Sequence, residues 1–319
     1  MVRPDFAKQS QAIVLRQPMD LALSPVALSP PAEGDVVVDI LFSGISTGTE
    51  KLLWSGRMPM FPGMGYPLIP GYESVGRVVH AMPKAKHHEG DFVFVPGAKC
   101  FGDIRGLFGG AASRVIVASD RALSIDESLG ERGVLLALAA TAYHVYQGEP
   151  ERQPDLIVGH GVLGRLIARL AVAAGRRPVV WETNAARRTG ARGYTVIDPA
   201  EDDRRNYARI CDVSGDPKIL DALVSRLAAG GEIGLAGFYE DALSFTFPPA
   251  FMREARIRIA AQWQPQDLEA VRSLAQSGAL SLAGLITHRR PPPDAEAAYR
   301  TAFTDPDCLK MVLDWSALT

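Results

Sequence analysis

Cysteine is scarce: Cys100, Cys211 and Cys308 are an odd three, far apart in 319 residues. That argues against a disulfide framework and suits a reducing compartment. Cys211 and Cys308 are better read as small buried hydrophobes. An excess of either charge is also missing. Lys plus Arg number 34 against 36 for Asp plus Glu, and the net charge of −2 gives no broad positive field for nucleic acid or an anionic membrane. No run reaches the roughly 18 consecutive apolar residues of a membrane span, and MVRPDFAKQSQAIVL lacks the apolar core and cleavage site of a secretory signal. The expectation is a soluble, cytoplasmic protein with no integral membrane segment and no nucleic-acid partner. The six histidines show no metal-ligand spacing, and His87-His88 reads as a solvated pair in a polar turn.

What is present is enough apolar residue, 47%, to fill a core, in a length that favours two domains. From about Gln11 to Ser119 the chain runs in short β-type segments broken by Gly and Pro: QAIVL, DVVVDILFSG, SVGRVVHA, DFVFVPG and SRVIVAS. Near Asp126 the texture changes, and DESLGERGVLLALAATAYHVYQ reads as a helix entered through an acidic cap. From Asp155 strands alternate with helices: DLIVG, RLIARLAVAAG, PVVWE, an Arg-rich helix, YTVID, RICDVSG, a helix ILDALVSRLAAGG, EIGLAGF and ARIRIAAQW. Such alternation predicts right-handed crossovers and a doubly wound parallel sheet. The tail, with a helix from Asp267 to Ser277, LITHRR, Pro291 to Pro293 and a last helical stretch, is expected to return to the first unit. The fold class is therefore α/β, with residues 1–125 and 265–319 forming a β-rich domain and 126–264 the parallel-sheet domain.

The strongest motif is Gly159-His160-Gly161-Val162-Leu163-Gly164, which follows the apolar strand DLIV and opens an apolar-periodic helix. In that context Gly159 permits the tight turn, Gly161 admits a pyrophosphate to the backbone and Gly164 lets helix and sheet pack closely. Glu182 ends the next strand, 182 − 159 = 23 positions on, close to the roughly 20-residue spacing at which an acid accepts from ribose hydroxyls. A carboxylate there repels a 2′-phosphate, which favours NAD, while Arg187 and Arg188 keep NADP open as the lesser reading. The bland alternative is a simple turn and a solvated strand end; strand, turn, helix and acid together weigh against it. Ser214 and Gly237 end later strands on the side where open α/β sheets bind ligands. The side chain of His160 reads equally as a pyrophosphate contact or as turned to solvent.

A β-rich unit followed by this dinucleotide unit resembles, over nearly the whole chain, the medium-chain alcohol dehydrogenase superfamily. The resemblance implies a GroES-like catalytic domain and a Rossmann domain. Where members often carry Gly-His-Glu, this sequence has Gly71-Tyr72-Glu73; where they carry Gly-Ile-Cys before Gly-Thr-Asp, it has Gly44-Ile45-Ser46-Thr47-Gly48-Thr49-Glu50. Their Cys-Ala-Gly pattern appears as Ala137-Leu138-Ala139-Ala140-Thr141-Ala142-Tyr143, and the closely spaced cysteines of a structural zinc lobe are missing. A hydroxyl and a phenol do not replace a thiolate and an imidazole, so no zinc is expected. Thr141 matches the position at which relatives support the nicotinamide ring.

A narrower resemblance, to the bacteriochlorophyllide-oxidising members of the superfamily, runs through SGISTGTEKLLWSGRMPMFPGMGYPLIPGYESVGRVV, LIVGHGVLGRL, WETNAARR, LAGFYE, FPPAFMREAR and FTDPDCLKMVLDW. It implies oxidation of the 3-(1-hydroxyethyl) group of a bacteriochlorophyllide or chlorophyllide to 3-acetyl, with NAD taking the hydride. The segment around Trp54, Arg57, Met60, Phe61 and Met64 is stiffened by Pro59, Pro62, Pro67 and Pro70 and suits a flat conjugated tetrapyrrole, or else plugs its own barrel. Lys51, Arg57 and Arg105 are candidates for a propionate, each with a surface role as the commoner alternative. Without a metal to lower the alcohol's pKa, Ser46 and Tyr72 are expected to hydrogen-bond the substrate oxygen, with Glu73 or His144 as proton acceptor. Glu73 reads equally as the buried partner of an arginine. Two other functions share these features: a zinc-free quinone or enone reductase, and a tetrapyrrole carrier without chemistry. Relatives often pair sheet edges into homodimers, with IGLAGFYE or ARIRIAAQ as candidate edges here.

Overall fold

The structure, a computed structural model, describes residues 9–146, 150–239, 241–260 and 262–319. Most of the stretch read for a secretory signal, and one residue in each candidate dimer edge (Glu240 and Ala261), lie outside the described residues. The chain forms two compact units: residues 1–137 with 285–319, and residues 138–284. These divisions fall somewhat later than the expected ones at 125/126 and 264/265. The turn Glu127–Leu135 lies with the first unit, while helix Pro265–Gln276 lies with the second.

In the first unit every β-type run of the sequence becomes a strand. The central one is Asp35–Ile45, DVVVDILFSGI, in which Val36, Val37, Val38 and Ile40 are fully buried. It pairs antiparallel with Ser74–Ala81, with Arg114–Ala118 along residues 35–39, and with Met311–Asp314 along residues 42–45. Phe92–Val95 and Leu123–Ser124 extend the Ser74–Ala81 side, and His288–Arg290 joins Met311–Asp314. A second sheet is built from the hairpin Gln9–Gln17 and Asp20–Ala27 with Leu68–Ile69 and Arg105–Gly106. The core between these strands includes Ile13, Leu15, Leu68, Val93, Val95 and Trp315. Each such aliphatic side chain contributes about 1.5–3 kcal/mol when removed from water. The tail thus ends not on a helix but on strand Met311–Asp314, preceded by helix Ala295–Thr304.

Ladder register carries the chemistry. Ser43 faces Ser74 across the sheet, while Ile40 faces Gly76 and Phe42 faces Val75, so Leu41 is an extra residue bulged from the ladder. Its carbonyl accepts from Trp315 N–H at 2.9 Å. Strand Asp35–Ile45 then delivers Ser46, and Tyr72 and Glu73 arrive immediately before Ser74–Ala81.

The second unit is a six-stranded, all-parallel sheet in the order Thr195–Ile197, Val179–Trp181, Leu156–Val158, Tyr207–Asp212, Leu227–Leu235 and Arg256–Ile259. That is the 3-2-1-4-5-6 order of a doubly wound dinucleotide fold. Two expected helices are shorter than foreseen. The Arg-rich segment is one 3₁₀ turn, Ala185–Arg188, because after the start capped by Asn184 the chain turns extended at Thr189 and left-handed at Gly190, with φ of +79°, and the Arg188 guanidinium folds back onto the Glu182 carbonyl at 2.8 Å. The stretch ILDALVSRLAAGG is helical only over Leu220–Arg226; its second half begins strand Leu227–Leu235, where apolar Leu227 is fully buried.

Candidate active site

In the first unit, Ser46 Oγ and Tyr72 Oη lie 2.7 Å apart, the geometry of a hydrogen bond in which either hydroxyl donates. Ser46 is buried and Tyr72 half-buried, its ring edge-on to the exposed Phe108 at 5.4 Å between centroids. Burial and the neighbouring Glu73 charge push the Tyr72 phenol well above its ordinary range, so it stays protonated and able to donate. Glu73 is fully buried, and its Oε2 accepts from Lys310 Nζ at 2.6 Å; the same ammonium donates to Ile45 O at 3.1 Å. Glu73 Oε1 has no hydrogen-bond partner among the described residues. The sequence alternative of a buried, paired carboxylate therefore holds in kind, with a lysine in place of the arginine.

Glu50, Tyr299 and Lys310 complete this cluster, and sequence reasoning assigned none of them a role. Glu50 stands inside the quoted Thr49-Glu50 motif, which was a signal. Lys310 and Tyr299 lie more than 200 positions away, and only the return of the tail brings them in.

The apolar segment divides. Met58 is in the core, and Met64 and Trp54 pack against it, with the Trp54 ring 5.5 Å from Phe303 and under the Arg300 guanidinium. Trp54 is thereby a packing residue of helix Thr49–Ser55. Met60 and Phe61 are exposed, at 81% and 39%. Arg57 is exposed and donates to Ser55 Oγ at 3.3 Å.

In the second unit, strand Leu156–Val158 runs into the glycine turn and helix Val162–Ala173. Gly159 has φ of +104°, a conformation that glycine adopts without strain. A Cβ on Gly164 would overlap the Gly159 carbonyl oxygen, whereas one on Gly161 meets nothing within 4 Å. The turn is thus closed at Gly164, where helix meets strand, and open at Gly161, the geometry that dinucleotide binding needs. Val162 is buried and Leu163 half-buried at the helix start. Ser214 lies against Gly159, and Gly237 N–H donates to Asp212 O at 3.1 Å, so the ends of three strands converge on the turn. Asp212, fully buried and raised by that burial, accepts from Ser214 N–H at 3.0 Å and from Tyr239 Oη at 2.5 Å.

Glu182 is aimed at the turn: its carboxylate accepts from the N–H groups of His160, at 3.1 Å, and Asn184, at 2.8 Å. His160 departs from both sequence alternatives for its ring. It is fully buried, with Nδ1 2.6 Å from Arg187 O and Nε2 2.9 Å from Tyr194 Oη. Burial lowers its pKa to about 4, and the neutral ring ties the turn to the arginine segment. Buried Arg165 reinforces the tie, donating to His160 O and Arg187 O, each at 3.0 Å. Arg188 pairs with Asp198, while the half-buried Arg187 offers its main chain to this network. On helix Leu136–Tyr146, Thr141 is half-buried and His144 Nδ1 lies 2.8 Å from Asp267 Oδ2. That oxygen also accepts from Gln264 N–H at 2.7 Å, capping helix Pro265–Gln276. Among the described residues no group of three His, Cys, Asp or Glu side chains is placed to hold a metal.

A family model for the alcohol dehydrogenase GroES-like domain matches residues 32–127. An alcohol dehydrogenase from Escherichia coli CFT073 complexed with cofactor NADH aligns with TM-score 0.80 at 19% identity, over 96% of this chain and 99% of that one. A dehydrogenase from Sinorhizobium meliloti 1021 bound to NADP aligns with the same TM-score, 0.80, and identity, 19%, over 96% and 99%. The GroES-like unit and the doubly wound unit with its glycine turn define a medium-chain dehydrogenase. The 2-desacetyl-2-hydroxyethyl bacteriochlorophyllide A dehydrogenase of Cereibacter sphaeroides is 60% identical over 315 residues, 97% of this chain and 99% of the relative. The chain belongs to that family of dehydrogenases.

Proposed function

We propose that this protein oxidises the 3-(1-hydroxyethyl) group of a bacteriochlorophyllide or chlorophyllide to 3-acetyl, passing hydride to NAD. The substrate class follows the Cereibacter relative's name. The observation that carries the chemistry is the Ser46–Tyr72 hydroxyl pair at 2.7 Å, standing where metal-dependent relatives keep a thiolate and an imidazole.

In this reading the glycine turn and helix Val162–Ala173 hold the pyrophosphate, Glu182 the ribose, and Thr141, Ser214 and Gly237 border the nicotinamide half. The dinucleotide, when bound, supplies the hydride acceptor. Ser46 and Tyr72 hydrogen-bond the substrate oxygen, and the protonated phenol donates to it as negative charge develops. Glu73, locked to Lys310, acts as a fixed charge. Proton acceptance is assigned to His144, whose Nδ1 is held by Asp267 so that Nε2 is left as the acceptor. Exposed Met60, Phe61 and Arg57 are assigned to the tetrapyrrole and its carboxylate.

No zinc is assigned, because Ser46, Tyr72 and Ala137 offer no thiolate or imidazole at the relatives' ligand positions. NAD is preferred over NADP because the Glu182 carboxylate opposes a 2′-phosphate and Arg188 is already committed to Asp198. A homodimer is assigned to the edge strand Arg256–Ile259, which among the described residues pairs only with Leu227–Leu235. On that strand Ile259 is 76% exposed, an apolar side chain that a second copy would cover. No helix among the described residues is long and apolar enough to cross a membrane. Three buried cysteines, none of them in a disulfide among the described residues, fit a reducing, cytoplasmic location.

The deciding experiment is an anaerobic assay of chelator-treated protein with 3-(1-hydroxyethyl) bacteriochlorophyllide and NAD or NADP, following pigment and nicotinamide absorbance together. Equimolar acetyl pigment and NADH, undiminished by chelation, are expected. Pigment binding without turnover would replace this reading with a carrier; consumption of an alkene with NADPH would replace it with a reductase.

A further inference from the structure

Glu50 is a buried acid that the chemistry above leaves unused. It is the second residue of helix Thr49–Ser55 and 1% exposed. Its N–H donates to Ser46 O at 3.1 Å, and its Oε1 accepts from Ser46 N–H at 3.1 Å, so main chain and side chain clasp Ser46 together. Its Oε2 accepts from Tyr299 Oη, on helix Ala295–Thr304, at 2.6 Å.

The other charged or titratable groups around Glu50 are Glu73 and Tyr72, which precede Ser74–Ala81, and Lys310, which precedes Met311–Asp314. Lys310 is already committed to Glu73. Two buried carboxyls therefore share one ammonium. Burial is the main cause that raises Glu50 to about 7, and the Glu73 charge adds to it; the Tyr299 and Ser46 hydrogen bonds and Lys310 oppose the rise.

Both hydrogen bonds on Glu50 are donated to it. A carboxylate accepts both. A carboxylic acid must also place its own proton, and Ser46 N–H has no lone pair to receive it, so Tyr299 turns its hydrogen away to accept it and Ser46 N–H is left on a neutral carbonyl oxygen, a weaker acceptor than a carboxylate. We propose that Glu50 is a positioning residue for the reaction, whose carboxylate holds the Ser46 main chain so that Ser46 Oγ stays against Tyr72, and whose protonation loosens that hold. It rests on the reading in which the Ser46–Tyr72 pair binds the substrate oxygen.

The test begins without substrate. Protein labelled with ¹³C at the tyrosine ring carbon bearing the hydroxyl is titrated by NMR, with the Tyr72 resonance assigned by its loss in Tyr72→Phe. The Tyr72 signal should shift with a midpoint near 7, stay flat in Glu50→Gln, and move to a higher midpoint in Tyr299→Phe, which loses a bond that favours the carboxylate. In turnover assays, Glu50→Gln should be at least about tenfold slower than wild type at pH 8, and the gap should narrow as pH falls through the same midpoint. A Tyr72 signal that ignores pH, or titrates identically in Glu50→Gln, overturns the proposal. A wild-type kcat/KM profile in Glu50→Gln does so as well. Expected NMR behaviour with no pigment turnover by the wild type would instead sink the proposed reaction and leave the Glu50 clasp standing.

Discussion

Lys310 Nζ and Glu73 Oε2 meet at 2.6 Å in a pair from which water is almost wholly excluded. The two residues are 237 positions apart, and their meeting fastens the C-terminal tail to the segment that carries Tyr72. Removing the ammonium alone leaves a buried carboxylate uncompensated. Lys310→Met should cost about 3–5 kcal/mol in denaturant unfolding, and Lys310→Met with Glu73→Gln should recover most of it. Equal losses in the single and double variants would show that the pair is not what matters.

Ser46→Ala and Tyr72→Phe should each lower turnover by at least about tenfold, since in the proposed reaction each hydroxyl binds the substrate oxygen. Stopped-flow of pigment oxidation is the measurement. Full activity in both variants would remove the pair from the mechanism.

The glycine turn makes a paired prediction. Gly164→Ala should unfold or loosen the turn, because the added methyl meets the Gly159 carbonyl, whereas Gly161→Ala should leave thermal stability unchanged and abolish dinucleotide binding. Calorimetric titration with NAD and NADP separates the two, and unaltered binding by Gly161→Ala would place the pyrophosphate elsewhere.

His160 gives a stability slope with a definite sign. Its folded pKa is depressed to about 4 from 6.5, so its contribution is full above pH 6.5 and is lost as pH falls towards 4, where the unfolded chain binds a proton and the folded chain does not. The loss amounts to about 3 kcal/mol. His160→Gln should show a shallower fall in unfolding free energy between pH 7 and about 4.5; parallel curves would refute the assignment.

The dimer assignment predicts that Ile259→Lys shifts the sedimentation profile towards monomer, since a charge on an exposed edge opposes pairing. A wild-type protein that is already monomeric would rule out the assigned edge.

The fold was legible because its signals are local. Alternation in DVVVDILFSG and the run DLIV followed by Gly159 and Gly161 depend on residues a few positions apart, and both became the expected strands. Ser46 and Tyr72 were each singled out, since each sits in a recognisable motif, but their hydrogen bond to one another was not expected. The surroundings of that pair were not foreseen either. Lys310 and Tyr299 reach it through the tail, and no spacing rule reports which distant side chain fills a buried gap. His160 misled for the reverse reason: its neighbours in sequence are turn residues, while its ring is held by Tyr194 and the Arg187 carbonyl. Leu227 was assigned to a helix because its apolar spacing fits either state, and its burial beside Tyr207 in the sheet decided the matter.

The bulge at Leu41 separates two jobs within one strand. Upstream of it, Asp35 to Asp39 are held to the barrel by Arg114–Ala118; downstream, Phe42 to Ile45 are held to the tail by Met311–Asp314. Side chains alternate faces at every step, so the extra residue resets which face the downstream half presents without disturbing the upstream half. Deleting Leu41 would therefore act as a phase error, leaving the barrel's own alternation intact while turning Ser43 and the approach to Ser46 over. The bulge thus works as an insulator, keeping the phase of the barrel wall independent of the phase that aligns the oxygen pair.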